Sequence, residues 1–257
     1  MAAQSHNLLL PGDLPPVEIV NPDGKSRFLL IGDHAGNVVP TALGDLGVGA
    51  DELARHIGWD IGVEALGRNL AARLDEVFVR QRYSRLVIDC NRDPASAAAM
   101  PVVSDSTPVP GNIGLDPDAR RARVAEIHEP YQQAIGAALG DRVLVSLHSF
   151  TPVLGEDARV WHLGVLHAGH SDAFARRLHD WLVEHSGRMV GDNEPYRMDT
   201  TDYTVPRHAF ESARPYVELE VRQDLLGDAA GIDDIATLLA AGLTATATDA
   251  PAGQGVA

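Results

Sequence analysis

Short apolar runs alternate with longer amphipathic stretches along most of this chain, and that alternation limits the fold more than any other feature. Arg27-Phe28-Leu29-Leu30-Ile31 reads as a buried strand. Asp51 to Leu74 then reads as one helix, with Leu53, Ile57, Ile61, Ala65, Leu66, Leu70 and Leu74 at helical spacing. Val77-Phe78-Val79 and Leu86-Val87-Ile88-Asp89 are expected as strands. Asp116 to Leu139 is expected as a helix, with Asp116 as N-cap and Pro117 in the first position. Strands follow at Arg142 to Leu147, Trp161 to Leu166 and Tyr216 to Val221, with helices at Ser171 to His185 and Ile232 to Leu243. Strands alternating with helices predict a three-layer α/β/α fold around a mostly parallel mixed sheet covered on both faces. In such sheets, ligands bind beyond the carboxyl ends of the strands.

Composition narrows the field. Residues 1–257 are expected to form a single domain, with an extended arm over residues 1–20 and a flexible tail over 245–257. Hydrophobic residues make up 45% of the chain, enough for a sizeable core, while aromatics are only 5%, so Ala, Leu, Val and Ile must fill it. A formal net charge of −15 argues against a nucleic-acid partner. It leaves room for a small anionic substrate, because a few local arginines dominate a small pocket. The single cysteine, Cys90, excludes an internal disulfide and a Cys-rich metal knuckle. The N-terminus lacks a basic start and a long apolar run, so neither a secretory signal nor a membrane span is expected; the default is a cytoplasmic protein. The oligomeric state stays open.

Four expected strands run directly into reactive groups. The first ends in Asp33-His34-Ala35-Gly36-Asn37, the strand at Leu86 in Asp89-Cys90-Asn91-Arg92, and the strand at Val143 in His148-Ser149. The strand at Val217 carries Glu218, Glu220 and Arg222 at a spacing of two, on one face. Neutral imidazole is the commonest protein ligand for zinc, and two histidines with one oxygen ligand leave a position for water, whose pKa the metal lowers to about 7. A nearby carboxylate can move that water's proton to a leaving nitrogen, and an arginine can steady an oxyanion or grip a carboxylate. Taken singly, each residue has a plainer reading: a structural histidine, a turn closed by an ion pair, glutamates on a solvated edge.

At these residues the sequence resembles the N-formylglutamate amidohydrolase family. The matching stretches are Asp33–Asn37, Gly58-Trp59-Asp60-Ile61-Gly62, Tyr83 to Arg92, His148-Ser149-Phe150-Thr151-Pro152, Gly191-Asp192-Asn193-Glu194-Pro195-Tyr196 and Val217 to Asp224. A more distant similarity links the chain to zinc carboxypeptidases and the aspartoacylase group, through the order His34, Asp89-x-Asn91-Arg92, Leu147-His148-Ser149, Glu220-Val221-Arg222. The resemblance implies a zinc-exopeptidase-like fold, one Zn2+ or another divalent ion, and cleavage of an N-acyl amino acid such as N-formyl-L-glutamate. It implies His34 and His148 as metal ligands, Glu220 as general base, and Asn91 and Arg92 as the grip on a substrate carboxylate. The family-level pattern His-x-x-Glu has Asn37 at its acidic position. The third ligand is therefore either Asn37 or a carboxylate from elsewhere, with Asp60 as first candidate.

Arg92 is also expected to help hold the oxyanion, and Arg222 or Arg207 to help bind the substrate. Asn193 and His208 complete the substrate-binding candidates. His162 and His167 point to opposite faces of a strand-like run and make no second metal site; His179 and Trp181 read as packing, and Cys90 as buried and inert. No Gly-rich phosphate loop and no Gly-x-Ser-x-Gly elbow is present. Two rivals remain: hydrolysis of another N-acyl amino acid or small amide, and a ligand-binding or regulatory protein on the same fold, which Asn37 in place of an acidic ligand keeps open.

Overall fold

Strands buried on both faces must open with apolar residues, and three such strands, beginning Phe28-Leu29-Leu30-Ile31, Val77-Phe78-Val79 and Val143-Leu144-Val145, lie side by side in the sheet. In the computed structural model, which describes residues 7–247, β2 (Phe28–Gly32), β3 (Val77–Gln81) and β4 (Val143–Phe150) are buried along their whole length. They join β1 (Val17–Val20), β5 (Leu163–Leu166), β6 (Val190–Asp192) and β7 (Tyr216–Arg222) in a seven-stranded sheet of order β1-β3-β2-β4-β7-β5-β6. Strands β3, β2, β4 and β7 are mutually parallel. β1 runs antiparallel to β3, and β5 runs antiparallel to β7 and parallel to β6. The fold is thus α/β with a mixed, mostly parallel sheet.

Alternate residues of each strand feed two cores. On one face Phe28, Leu30, Val145, Leu147 and Leu219 pack against α1 (Val63–Leu74), α4 (Ala173–His185) and α5 (Ala229–Thr246). On the other, Leu29, Ile31, Val77, Val79, Leu144 and Tyr216 share a core with Tyr131, Ile135 and Leu139 of α3 (Glu129–Leu139) and with Ile127 just before it, while α2 (Pro117–Arg123) precedes them in the chain. A π-helical turn, Val124–His128, joins α2 to α3. Asp116 caps this segment by accepting from the Ala119 amide, and Pro117 starts it, as the sequence predicts. In α4, Phe174, Leu178 and Leu182 recur every four residues on the buried stripe. No described helix is long and apolar enough to cross a membrane.

Three expectations need correction. Asp51–Leu74 is not one helix: Ala50–Leu53 forms a single turn, the chain then bends, and α1 begins at Val63. Gly62 supplies the break, at φ 85°, a left-handed backbone that glycine adopts without strain. Leu86–Asp89 is not a strand. Arg85 and Asp89 pair across four residues at 2.7 Å and close a turn, and the apolar residues between them are buried by packing rather than by pairing. The arm expected over residues 1–20 is attached to the sheet, since Val17–Val20 is an edge strand and the Tyr83 hydroxyl donates to the Leu14 carbonyl. Residues 1–6, and residues 248–257 of the expected tail, lie outside the described residues; 245–247 continue the last helical segment.

Candidate active site

One face of the sheet changes character along the strands. At the amino end it presents Leu144 on β4 and Tyr216 on β7 to the core. Two and four residues later the same columns present Ser146 and His148 beside Glu218 and Glu220, which lie in register across the β4–β7 pair. β2 delivers Asp33 and His34 at its carboxyl end. Asp60 comes from the bend before α1, where its amide donates to the His34 carbonyl at 2.9 Å and so ties the two residues together. The bend is anchored by Ser84, whose hydroxyl donates to the Gly58 carbonyl at 2.7 Å.

These pieces meet in a cleft of about 420 Å3 lined by His34, Asp60, His148, Glu218 and Glu220, with Arg85, Asn91, Arg92, Tyr196 and Asp202 among its other walls. Ligand atoms of His34, Asp60 and His148 all lie within 4.8 Å of one another, and among the described residues no other group of this kind occurs. Each histidine turns Nδ1 toward Asp60 Oδ2, at 3.4 Å for His34 and 2.8 Å for His148. Each has Nε2 against a second carboxylate: Asp89 at 2.7 Å for His34, Asp33 at 3.4 Å for His148, the latter also 3.1 Å from Ser146 Oγ. His34 Nδ1 itself has no hydrogen-bond partner.

This pattern fits a divalent cation. Metal-bound histidines commonly donate their other ring N–H to a carboxylate, which fixes the tautomer and raises ligand basicity. Here Asp89 and Asp33 would do so, leaving two imidazole nitrogens and one carboxylate aimed at a common point. Without a cation the cluster holds protons instead. Burial works against charge on Asp60, yet the charge of His34 and the hydrogen bond from His148 hold its carboxyl well below the usual range. Burial likewise lowers the His148 imidazole, but hydrogen bonds to Asp33 and Asp60 and the charge of Glu218 raise it well above its ordinary value. His34 is raised too: burial and Arg85 oppose its charge, and Asp89 and Asp60 outweigh them.

Glu218 and Glu220 behave in the opposite way. Both are buried, each has one carboxylate oxygen without a hydrogen-bond partner, and desolvation pushes both up to about 8. The His148 charge opposes the rise in both. Two carboxyls that exchange protons near neutrality are suited to acid–base chemistry.

The sequence candidates separate clearly. His34, His148, Asp60, Glu220, Asn91 and Arg92 converge on the cleft. Asn91 Oδ1 accepts from the amides of Tyr203 and Thr204, both at 3.0 Å, and Arg92 Nη1 lies 3.3 Å from Asp202 Oδ1. Asn37 is not in the cluster. Its amide group turns away to the Leu53 carbonyl, and the Asp60 carboxylate supplies the acidic group that the sequence lacks at position 37. Arg222 does not line the cleft; it is consumed by Asp224, 2.7 Å away, and by the carbonyls of Arg159 and Trp161. His208 is held by Gln132 at 2.8 Å, and burial lowers it to about 4. Asn193 accepts from the His167 amide at the base of the loop whose next members, Pro195 and Tyr196, line the cleft. Arg207 stacks on Tyr203.

Sequence reasoning passed over Asp33, Asp89 and Arg85 as functional groups, although all three lie inside the matched stretches. Arg85 bridges Asp89 at 2.7 Å and Asp60 at 3.3 Å, linking the carboxylates behind and inside the cluster. Their signal was the tight spacing Asp33-His34 and Arg85-x-x-x-Asp89, which reads as ordinary turn chemistry until the histidines are placed. Glu218 was weighed only as Glu220's companion on the strand.

Residues 26–226 match the model of the family described as N-formylglutamate amidohydrolase. The chain belongs to the N-formylglutamate amidohydrolase family. It is accordingly a hydrolase acting on amide bonds, which removes the rival reading as a non-catalytic binder. The chain is 31% identical to the gene product Atu2144 from Agrobacterium tumefaciens, with 93% of this chain and 98% of that one covered and a TM-score of 0.88. It shares its fold with the N-formylglutamate amidohydrolase of Ralstonia eutropha JMP134, at 19% identity, coverage of 91% and 98%, and a TM-score of 0.66. No curated protein matches the chain by sequence.

Proposed function

We propose that the chain is a metal-dependent amidohydrolase that cleaves an N-acyl amino acid, with N-formyl-L-glutamate as the leading substrate, to a carboxylic acid and the free amino acid. The observation that carries this reading is the position of Glu220: a buried carboxyl poised near neutrality, in the same cleft as His34, Asp60 and His148 and one strand away from His148. His34, Asp60 and His148 would hold the ion, and two imidazoles with one carboxylate favour Zn2+. When bound, such an ion polarises the scissile carbonyl and makes water a nucleophile near neutral pH.

The chain's own groups do the rest. Glu220 takes a proton from the attacking water and returns it to the leaving nitrogen, so one carboxyl serves both half-steps. Burial of Glu220 keeps it close in pKa to the pH at which it works. Arg92 and Asn91, which line the same cleft, hold the substrate carboxylate; among the described residues the Arg92 side chain donates through Nη1 alone, to the Asn91 and Thr201 carbonyls and to Asp202 Oδ1, and so keeps its other donors free. Asp89 and Asp33 keep the imidazoles in the right tautomer.

A second reading within the same chemistry rests on a further cavity of about 530 Å3 that shares His56, Arg85 and Arg92 with the cleft. That space favours acyl groups larger than formyl. One experiment tests both: measure bound metal in the purified protein and follow acid release from N-formyl-, N-acetyl- and N-succinyl-L-glutamate. Stoichiometric metal with fastest turnover of the formyl compound supports the first reading. A preference for succinyl supports the second, and absence of both metal and turnover overturns the proposal.

A further inference from the structure

Arg159 is a buried cation with no ion pair among the described residues; its charge reaches Glu220 through space only. It is 9% exposed, and its guanidinium carbon sits 4.6 Å from the centre of the Tyr196 ring and 5.8 Å from that of Phe150. The one group its side chain hydrogen-bonds is the Tyr196 hydroxyl, to which Nη1 donates at 2.7 Å. Burying a guanidinium against two rings, one of them a phenol, with no carboxylate in ion-pair contact, is costly unless the arrangement serves something else.

The hydrogen-bond count shows what it serves. A phenol has one proton and an oxygen that can accept. Because the Tyr196 oxygen already accepts from Arg159, its proton is free to be donated elsewhere, and the adjacent positive charge makes it a stronger donor. Tyr196 lines the cleft that contains Glu220 and Asp60. It is electrostatically coupled to both Glu220, in register with His148, and Arg85, paired with Asp60. Its loop is held down at the same place. Gly164 lies in register with Glu220, and a Cβ there would stand 3.2 Å from Glu220 Cβ and overlap the Glu194 carbonyl. The missing side chain lets the loop approach the strand beside Glu220, two residues before Tyr196 enters the wall of the cleft.

Building on the function proposed above, we propose that Tyr196 is a further catalytic residue whose hydroxyl donates a hydrogen bond to the oxyanion formed at the scissile carbonyl, with Arg159 as the residue that positions and polarises it. No proton leaves Tyr196; the bond strengthens as negative charge develops on the substrate oxygen and relaxes as the carbonyl reforms. The role assigned from sequence to Arg92 at the oxyanion then passes to Tyr196, and Arg92 keeps the substrate carboxylate.

The test uses the full chain loaded with metal, and Tyr196→Phe, Arg159→Met, Arg159→Lys and the Phe/Met double variant. Tyr196→Phe should lower kcat about a hundredfold with little change in KM, the signature of a contact made only in the transition state. Arg159→Met should lower kcat by roughly tenfold, Arg159→Lys should recover part of that, and the double variant should match Tyr196→Phe within about twofold because both changes act through one contact. Ultraviolet difference titration of wild type against Tyr196→Phe isolates the Tyr196 ionisation, which Arg159→Met should move to higher pH even in metal-free protein. A Tyr196→Phe variant with unchanged kcat, or a raised KM alone, overturns the catalytic role. An additive double variant, or a Tyr196 midpoint that ignores Arg159, overturns the positioning role. Wild-type protein inert toward every N-acyl amino acid overturns the underlying function and the catalytic role together, while the titration still decides the Arg159–Tyr196 pair.

Discussion

Single residues in this cleft are set by their neighbours more than by their type. Five carboxyls, Asp33, Asp60, Asp89, Glu218 and Glu220, are buried in and around one site, yet the three aspartates are held ionised by histidines and arginines while Glu218 and Glu220 are pushed up to about 8 by desolvation. On the proposed roles, that division would separate metal binding from proton transfer. Glu220→Gln should therefore keep metal content near wild type and reduce kcat by at least about a hundredfold, within the range of acid–base catalysis; metal analysis and formate release on the same sample check it. Asp89→Asn should do the converse. The amide cannot neutralise the His34 imidazole, and metal affinity should fall by about 10–100-fold with a smaller loss of kcat at saturating metal, measured by competition with a chromophoric chelator. The sequence made His34, His148 and Glu220 legible because strand ends and a spacing of two carry directional information. It left the third ligand open between Asn37 and Asp60, because that choice depends on where a bend folds back, and no local pattern encodes it.

At the scale of elements, the informative failures lie where polar groups overrule periodicity. The helical spacing from Leu53 to Leu74 is present in the sequence, but the hydrogen bond from the Asp60 amide to His34 and the left-handed Gly62 interrupt the helix and turn its middle into part of the site. Leu86-Val87-Ile88 has strand composition, and burial bears out its apolar character, yet the Arg85–Asp89 pair makes it a turn. Strands β2, β3, β4 and β7 were readable because a central parallel strand must be apolar throughout or must spend its polar residues on a site. Gly164 belongs to this scale as well. Gly164→Ala should displace the Glu194–Tyr196 loop, lowering kcat/KM by roughly tenfold or more while the far-ultraviolet circular dichroism stays unchanged, since β5 itself can accept alanine.

For the whole molecule, the sheet carries one burial that is unrelated to the cleft. Glu76, at the foot of β3, is fully buried, has only Ser26 Oγ as a long partner at 3.4 Å, and is pushed up to about 8 by desolvation. A carboxyl whose folded value is raised stabilises the fold relative to its ionised state below the ordinary value of 4.5 and loses that contribution as pH climbs toward 8. Wild type should thus weaken against Glu76→Gln by about 1.4 kcal/mol for each pH unit across that window, reaching a plateau above it. Urea midpoints of the two proteins at pH 5 and pH 8 measure the difference, and equal midpoint gaps at both values refute it.

The strand order has a consequence for how the chain reaches its working state. β7, the last strand in sequence, lies between β4 and β5 near the middle of the sheet. It carries Glu218 and Glu220, while His34 arrives with the second strand and His148 with the fourth. Pairing over such sequence separations is the slow part of folding, since chain entropy must be lost before contact is gained. Most helices and the β3-β2-β4 platform can form from residues earlier in the chain, but none of them completes the proton-transfer apparatus. If Glu220 has the role proposed above, newly made chains should become competent for turnover only at the final insertion, and recovery of hydrolysis after denaturation should trail the recovery of helix.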